Sequence, residues 1–179
     1  MTTRIALLRA VNLGGQSTVR MADLRQLLEK MGMANPRSLL QSGNLVFESP
    51  TGAESAVESA LETATASGLG LRTQFFVRGI AEWSSLLENN PFSAEAAGDP
   101  SHLLVVFLKD APSAESVHAV DCLAGPERAQ AWGRHLYVTY PDGIGRSRLT
   151  MSVIEAKLHT RGTARNWNTV LKLAAMAQA

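Results

Sequence analysis

The order of short apolar runs and amphipathic stretches along the chain constrains the fold more than any other feature of the sequence. An apolar run at residues 5–11 predicts a first strand, and the apolar side chains at 24, 27, 28 and 31 recur at the spacing of one helix face. Two short extended runs, a second helix over residues 53–64 and an alternating, half-buried strand over 71–77 follow. This is the β-α-β-β-α-β order of the ferredoxin-like fold.

The second half of the chain follows a similar order. A short helix ends before Asn89, residues 93–101 are polar and predict a loop, and residues 102–108 form a nearly continuous apolar run typical of a strand covered on both faces. A helix capped by Ser113 and a hairpin over residues 127–140 follow.

The end of the chain predicts helix. Ser147 is expected to cap one helix, and Thr163 to cap a last one, whose apolar positions from Trp167 onward lie on a single face. The second half would then end in a helix where the first ends in a strand. We predict an α+β fold of two ferredoxin-like halves in tandem, residues 1–79 and 80–179, plus an extra C-terminal helix.

Composition excludes several classes of protein. A hydrophobic content of 45% predicts a globular chain and argues against disorder. The single cysteine, Cys122, excludes an internal disulfide framework and a cysteine zinc site, and we expect it to be buried as a small apolar residue. The first residues lack the pattern of a secretion signal, and no run approaches the roughly 20 apolar residues of a membrane helix. We therefore expect a cytoplasmic protein with no membrane partner.

No motif nominates a catalytic residue, a metal site or a cofactor. The sequence lacks a P-loop, a His-Glu-x-x-His zinc motif, a Gly-x-Ser-x-Gly elbow and the third glycine of a dinucleotide fingerprint. The four histidines lack metal-ligand spacing, and we expect them to be structural or exposed. We expect no bound cofactor, and the sequence leaves open whether any reaction is catalysed.

Six stretches, taken in order, carry a family resemblance. They are ALLRAVNLGG at 6–15, RMADL at 20–24, QSGNLVF at 41–47, NPF at 90–92, YPDGIG at 140–145 and TARNWNTVLKL at 163–173. Together they resemble the bacterial domain-of-unknown-function family 1697, from the first strand to the last helix. The resemblance implies an α+β fold of two ferredoxin-like halves and no activity. Ala10 and Ala164 stand where the family usually has glycine and threonine, so neither that glycine nor that hydroxyl is essential.

Charge is distributed unevenly along the chain. Residues 1–37 have a net charge of +4, residues 38–71 and 72–142 each have −4, and residues 143–179 have +5. If the two ends of the chain lie together they form one basic face, which would favour an anionic partner. The alternative is a solvated surface held by salt bridges.

Three loops are candidates for binding an anion. Asn12, Gly14 and Gly15 follow the first strand and precede a helix, so backbone N–H groups of this loop can cradle a phosphate or carboxylate. Arg9, just before them, is a charged residue in an apolar run, and its guanidinium needs either an acidic side chain or a ligand anion. A tight turn with a structural ion pair is the alternative.

The other two loops have structural explanations as well. Ser42, Gly43 and Asn44 could contact a ligand, but a hairpin turn also explains them because glycine and asparagine tolerate positive φ. Arg165 and Asn166 are expected in the first turn of the last helix, where a helix N-terminus beside an arginine favours an anion.

These candidates favour a binding protein for a small anionic or phosphorylated ligand. The alternatives are a nucleic-acid-binding protein, an uncharacterised enzyme acting on a phosphorylated substrate, and a protein-interaction scaffold. Nucleic acid is less favoured because aromatic residues are only 6% of the chain, and Phe75 and Phe76 are predicted to point to opposite faces of a strand. The sequence leaves the identity of the ligand and the oligomeric state open.

Overall fold

The computed structural model describes residues 1–9, 19–123 and 125–179. The chain forms two compact units, one of Met1–Ser84 with Leu173–Ala179 and the other of Ser85–Lys172. Each unit contains one four-stranded antiparallel sheet.

The first sheet confirms the predicted ferredoxin-like order. Its elements are β1 (Thr2–Leu8), α1 (Met21–Lys30), β2 (Ala34–Leu39), β3 (Asn44–Ser49), α2 (Glu54–Leu69) and β4 (Phe75–Gly79). The strands lie in the order β2-β3-β1-β4, which is the arrangement that a split βαβ unit produces. A helix, α3 (Ile80–Glu88), follows β4 and contains the boundary between the units.

The second sheet has the equivalent order, β6-β7-β5-β8. Its elements are α4 (Ser93–Gly98), β5 (Leu103–Leu108), α5 (Ala114–Asp121), β6 (Arg128–Trp132), β7 (His135–Thr139), a 3₁₀ turn (Ile144–Arg146), α6 (Met151–Leu158) and β8 (Gly162–Asn166). The predicted extra C-terminal helix is present as α7 (Trp167–Gln178).

The period-two alternation of the strands explains both cores. In the first unit, one face of the sheet places Ala6, Phe47 and Phe75 against buried side chains of α1 and α2, including Leu24 and Leu61. In the second unit, one sheet face, α5 and α6 form an equivalent cluster around Val106, Leu136, Val138, Val120 and Ile154. Full burial of each valine, leucine, isoleucine or phenylalanine side chain in these clusters contributes about 1.5–3 kcal/mol.

Carboxylates on α2 cover the outer edge of β4. Glu54, Glu58 and Glu62 lie one helical turn apart, and each accepts a hydrogen bond from a backbone N–H of the strand. The donors are Gly79, Val77 and Phe75, at N–O distances of 2.5, 2.8 and 2.9 Å. Unpaired N–H groups on an edge strand are a template for another chain, so these contacts block that edge.

Carboxylates on helices also accept hydrogen bonds from backbone N–H groups at both edges of the second sheet. Glu155 on α6 accepts a hydrogen bond from the N–H of Gly162 in β8 at 2.9 Å. Asp121 on α5 accepts one from the N–H of Ala129 in β6 at 2.8 Å. Three of the four acidic residues in the segment 38–71 therefore have a structural role.

Two predictions in the second half of the chain were wrong, the loop at residues 93–101 and the cap at Ser147. Residues 93–101 are not only loop, since they contain α4, whose alanines have high helix propensity. Ser147 does not cap α6; the N-cap is Thr150, whose hydroxyl accepts from the N–H of Val153. The helix begins later because Leu149 is buried in the core first, with its carbonyl bonded to the Tyr140 hydroxyl at 2.9 Å.

The end of the second half also differs from the prediction. Residues 162–166 form β8, so this half ends in a strand before α7 begins, and Thr163 lies in that strand instead of capping a helix. The pairing of β8 with β5 overrides the local helix signal. A Cβ on Gly162 would lie only 2.9 Å from Val106 Cγ1, so glycine permits this close pairing.

Burial was predicted wrongly at two further places. β4 is not half-buried, because Phe75, Phe76 and the charged Arg78 are all fully buried. Cys122 is exposed instead of buried, because it follows the last turn of α5 on the solvent side.

Candidate functional site

The structure brings Arg9 close to the turn between β2 and β3. The N–H of Leu8, the last residue of β1, donates to the carbonyl of Gly43 at 2.8 Å. Arg9 follows and is half-buried; its own N–H donates to the carbonyl of Gln74 at 2.9 Å, and its carbonyl accepts from the Thr73 hydroxyl at 2.7 Å. The backbone that carries the guanidinium is therefore fixed from two directions.

The turn itself is held by its own side chains. Gly43 has φ 72°, and a Cβ there would lie 2.7 Å from Leu8 Cβ, so only glycine fits. The buried amide of Asn44 donates to the carbonyl of Leu39 at 3.0 Å and to the Ser42 hydroxyl at 2.9 Å. These contacts support the hairpin explanation for Ser42 and Asn44. The backbone of the turn lies beside the end of β1, where Gly43 accepts the hydrogen bond from Leu8.

The structure does not test the loop that is predicted to cradle the anion. Asn12, Gly14 and Gly15 fall outside the described residues. Their contribution to a ligand site stays a prediction.

Arg165 lies in a different setting from the one predicted. It belongs to β8, opposite Val105 of β5, and not to the first turn of α7. Its Nη1 donates to the Thr163 hydroxyl at 2.9 Å and to the carbonyl of Ala164 at 2.8 Å. Burial lowers the pKa of the guanidinium to about 10, because desolvation disfavours the charged form.

Asn166 is the residue that caps α7. Its side-chain oxygen accepts from the N–H of Thr169 at 3.0 Å and from the Thr169 hydroxyl at 2.9 Å. This is the contact of an N-cap residue, so Asn166 precedes the helix and does not lie in its first turn as predicted. The predicted residues thus form two groups, Arg9 with the β2–β3 turn in the first unit and Arg165 with Asn166 in the second.

The second unit contains a polar cavity that motif reasoning missed. It has a volume of about 580 Å³ and is lined by the connection before β6 and by the segment that follows β7, including Glu127, Asp142, Arg146 and Arg148. The sequence signal was the pair of arginines directly after the YPDGIG stretch, which only the fold places opposite Glu127.

A histidine–carboxylate pair was also missed. His102 Nδ1 lies 2.6 Å from Asp99 Oδ2, and the Ser101 hydroxyl donates to Asp99 Oδ1 at 2.7 Å. Hydrogen bonds from Ser101 and then His102 lower the pKa of Asp99. Such a pair can accept a proton, but Ser101 is engaged with the carboxylate and is not placed as a nucleophile toward the imidazole. Among the described residues, no group of three histidine, cysteine or acidic side chains is arranged to hold a metal ion.

Two observations concern binding to nucleic acid and insertion into a membrane. Phe75 and Phe76 are both fully buried, so neither is available to stack on a base. Trp132 is an exposed aromatic residue, at 49%. Within residues 1–9, 19–123 and 125–179, no helix has the length and hydropathy required to cross a bilayer.

Two comparisons with known proteins found matches, one to a protein family and one to a solved structure. The family model described as a protein of unknown function (DUF1697) matches residues 1–137. The structure is similar to that of a conserved bacterial protein, SP0830, from Streptococcus pneumoniae, with a TM-score of 0.78 and 23% identity over 98% of each chain. Among curated proteins, none matches this sequence significantly.

Proposed function

The chain belongs to the DUF1697 family of proteins of unknown function, and we propose from its own residues that it binds a small anionic or phosphorylated ligand. The observation that carries this proposal is the hydrogen bond between Leu8 and Gly43, which places the β2–β3 turn beside Arg9 at one end of the first sheet.

Two physical features support an anion at this position. Arg9 is half-buried, and its planar guanidinium fork matches the geometry of a phosphate or a carboxylate. The segment of residues 1–37 also carries a net charge of +4, which attracts anions over longer distances. The predicted loop at Asn12, Gly14 and Gly15 begins three residues after Arg9 in the sequence.

A thermal-shift screen at low salt tests the proposal with nucleotides, sugar phosphates, carboxylates, coenzymes and short oligonucleotides. A ligand present at about a hundred times its Kd adds about 2.7 kcal/mol to the stability of the protein. For a chain of this length, that corresponds to a rise in Tm of about 5–11 °C.

Matched variants assign any hit to the site. Arg9→Ala is expected to abolish the shift, and Arg9→Lys, which keeps the charge but not the planar fork, to retain part of it. Arg20→Ala is the control, because Arg20 is an exposed arginine of the same unit, and its side chain makes a long contact of 3.7 Å with Asp23. A hit that persists in Arg9→Ala, or a screen without hits, contradicts the proposed site.

Arg165 is tested separately. If Arg165→Ala also abolishes the shift while Lys172→Ala does not, the predicted contribution of Arg165 is correct. If only Arg9 is required, the ligand is bound by residues of the first unit and Arg165 serves the packing of β8.

The alternative functions stay predictions with their own outcomes in the same screen. A shift with oligonucleotides that disappears as salt is added would favour a nucleic-acid-binding protein. Turnover of a phosphorylated hit would favour an enzyme. A screen without any hit would favour the protein-interaction scaffold.

A further inference from the structure

The cavity in the second unit has the dimensions of a small-molecule site. Its volume of about 580 Å³ falls in the range of roughly 300–1,000 Å³ that is typical of ligand pockets. It is built only from residues of Ser85–Lys172, so it does not involve Arg9 or the β2–β3 turn.

The inner wall of the cavity is held rigidly. Glu127 is buried, and its carboxylate accepts from the N–H of Gly125 at 2.8 Å and from the Ser147 hydroxyl. The hydrogen bond from Ser147 is the main cause of a lowered pKa of Glu127, so this carboxylate is ionised at neutral pH. Ser147 Oγ also accepts from the N–H of Leu149 at 3.0 Å, which fixes the backbone on that side.

This backbone presents two arginines together. Arg146, the last residue of the 3₁₀ turn, and Arg148 flank the extended Ser147, and both arginines line the cavity. Both arginines are exposed, and neither has a side-chain partner among the described residues. Two guanidinium forks in one cavity suit a phosphate, which accepts several hydrogen bonds at once.

The acidic side chains of the cavity determine which phosphate compounds fit. Asp142 is exposed and also lacks a side-chain partner in the described part of the chain. With Glu127 it balances the two arginines, so the four charged side chains of the cavity have no net charge. A simple anion would be attracted by the arginines and opposed by the carboxylates, whereas a ligand with separated charges satisfies both groups.

We propose that this cavity binds a small phosphorylated amine, with the phosphate held by Arg146 and Arg148 and the protonated amine facing Asp142. The buried Glu127 anchors the arginine-bearing segment through its hydrogen bond with Ser147.

Isothermal titration calorimetry with O-phosphoethanolamine and ethyl phosphate tests this assignment. The two probes share the phosphate, and only the first has an amine. The wild-type protein is expected to bind O-phosphoethanolamine more tightly. The double variant Arg146→Ala/Arg148→Ala should weaken this binding by roughly tenfold or more, because charge-assisted hydrogen bonds are lost.

A second variant isolates the role of the amine. Asp142→Asn should remove the preference for O-phosphoethanolamine while leaving the affinity for ethyl phosphate unchanged or higher. Lys157→Ala, which removes one exposed positive charge on α6, is the control and should bind both probes as the wild type does. All exchanged side chains are exposed, so circular dichroism is expected to show unchanged folding.

Several results would overturn the inference. They are equal affinity of the wild type for both probes, binding that survives the double arginine exchange, and no heat of binding at probe concentrations of about 10 mM. Tighter binding of β-alanine than of O-phosphoethanolamine would also overturn it, because the anionic group would then be a carboxylate. The same titrations in an Arg9→Ala background separate these outcomes from a ligand bound in the first unit, because no residue of that unit lines the cavity.

Discussion

Removing the carboxylate of Glu58 tests the contacts between α2 and the edge of β4. Glu58 is buried, accepts from the N–H of Val77 at 2.8 Å, and lies 3.8 Å from Nη1 of the fully buried Arg78. Glu58→Ala removes the acceptor at 2.8 Å from the Val77 nitrogen and the carboxylate at 3.8 Å from Arg78, while Glu82 stays at 3.3 Å from Arg78 Nε.

The magnitude follows from these two losses. Breaking a buried ion pair by removing one partner costs about 3–5 kcal/mol, and the lower end applies because the 3.8 Å contact is long and Glu82 remains. We therefore expect Glu58→Ala to lower the free energy of unfolding by about 3 kcal/mol. Glu58→Gln keeps an oxygen that can accept from Val77, so we expect a loss of only about 1–2 kcal/mol.

Urea denaturation followed by circular dichroism measures these values as shifts of the midpoint at constant slope. Glu29→Ala, which removes an exposed carboxylate of α1, is the control and should stay within about 0.5 kcal/mol of the wild type. A loss below about 1 kcal/mol for Glu58→Ala would refute a stabilising role of this contact. If the glutamine variant is as unstable as the alanine variant, charge pairing with Arg78 carries the effect and the backbone hydrogen bond does not.

Four further results are expected. Gly43→Ala should lower stability by at least about 1–2 kcal/mol in the same urea assay, because alanine is strained at φ 72° and its Cβ would meet Leu8; a neutral exchange would contradict the described turn. Asn166→Ala should cost about 1 kcal/mol through loss of the α7 N-cap, whereas Asn166→Asp should be tolerated. Cys122 should react with a thiol reagent without denaturant, and labelling only after unfolding would show that it is buried. The lowered pKa of Glu127 contributes stability that is present above the pKa of this carboxyl in the unfolded chain and is lost as pH falls through its pKa in the folded protein. Ser147→Ala should raise the pKa of Glu127 in an NMR titration and reduce this contribution to stability. An unchanged pKa would contradict the hydrogen bond between Ser147 and Glu127.

Much of the fold could be predicted because burial leaves a periodic signal in the sequence. The apolar spacing of α1, the continuous apolar run of β5 and the cap at Ser113 each follow from local rules, and all three are present. Their order was sufficient to identify two ferredoxin-like halves. α4 was missed because a short polar helix with no buried residue has no apolar stripe to reveal it.

The candidate site was less predictable because it depends on contacts between distant residues. Arg9 and Gly43 were each identified as loop candidates, but their proximity results from the pairing of β1 with β3. No sequence motif indicates the cavity around Arg146 and Arg148. Its lining includes Glu127, which precedes a different strand and lies far from the two arginines in sequence.

The sequence by itself determined the class of the protein, the order of its elements and the family resemblance, because these depend on periodicity, turn chemistry and residue identity along the chain. Only the tertiary structure decided that residues 162–166 form a strand. A local pattern resembling a helix cap was overruled there by backbone pairing with β5, at a glycine that allows the close approach. It also decided that Glu54, Glu58 and Glu62 are structural, since a carboxylate serves a strand edge only when the fold brings the two together.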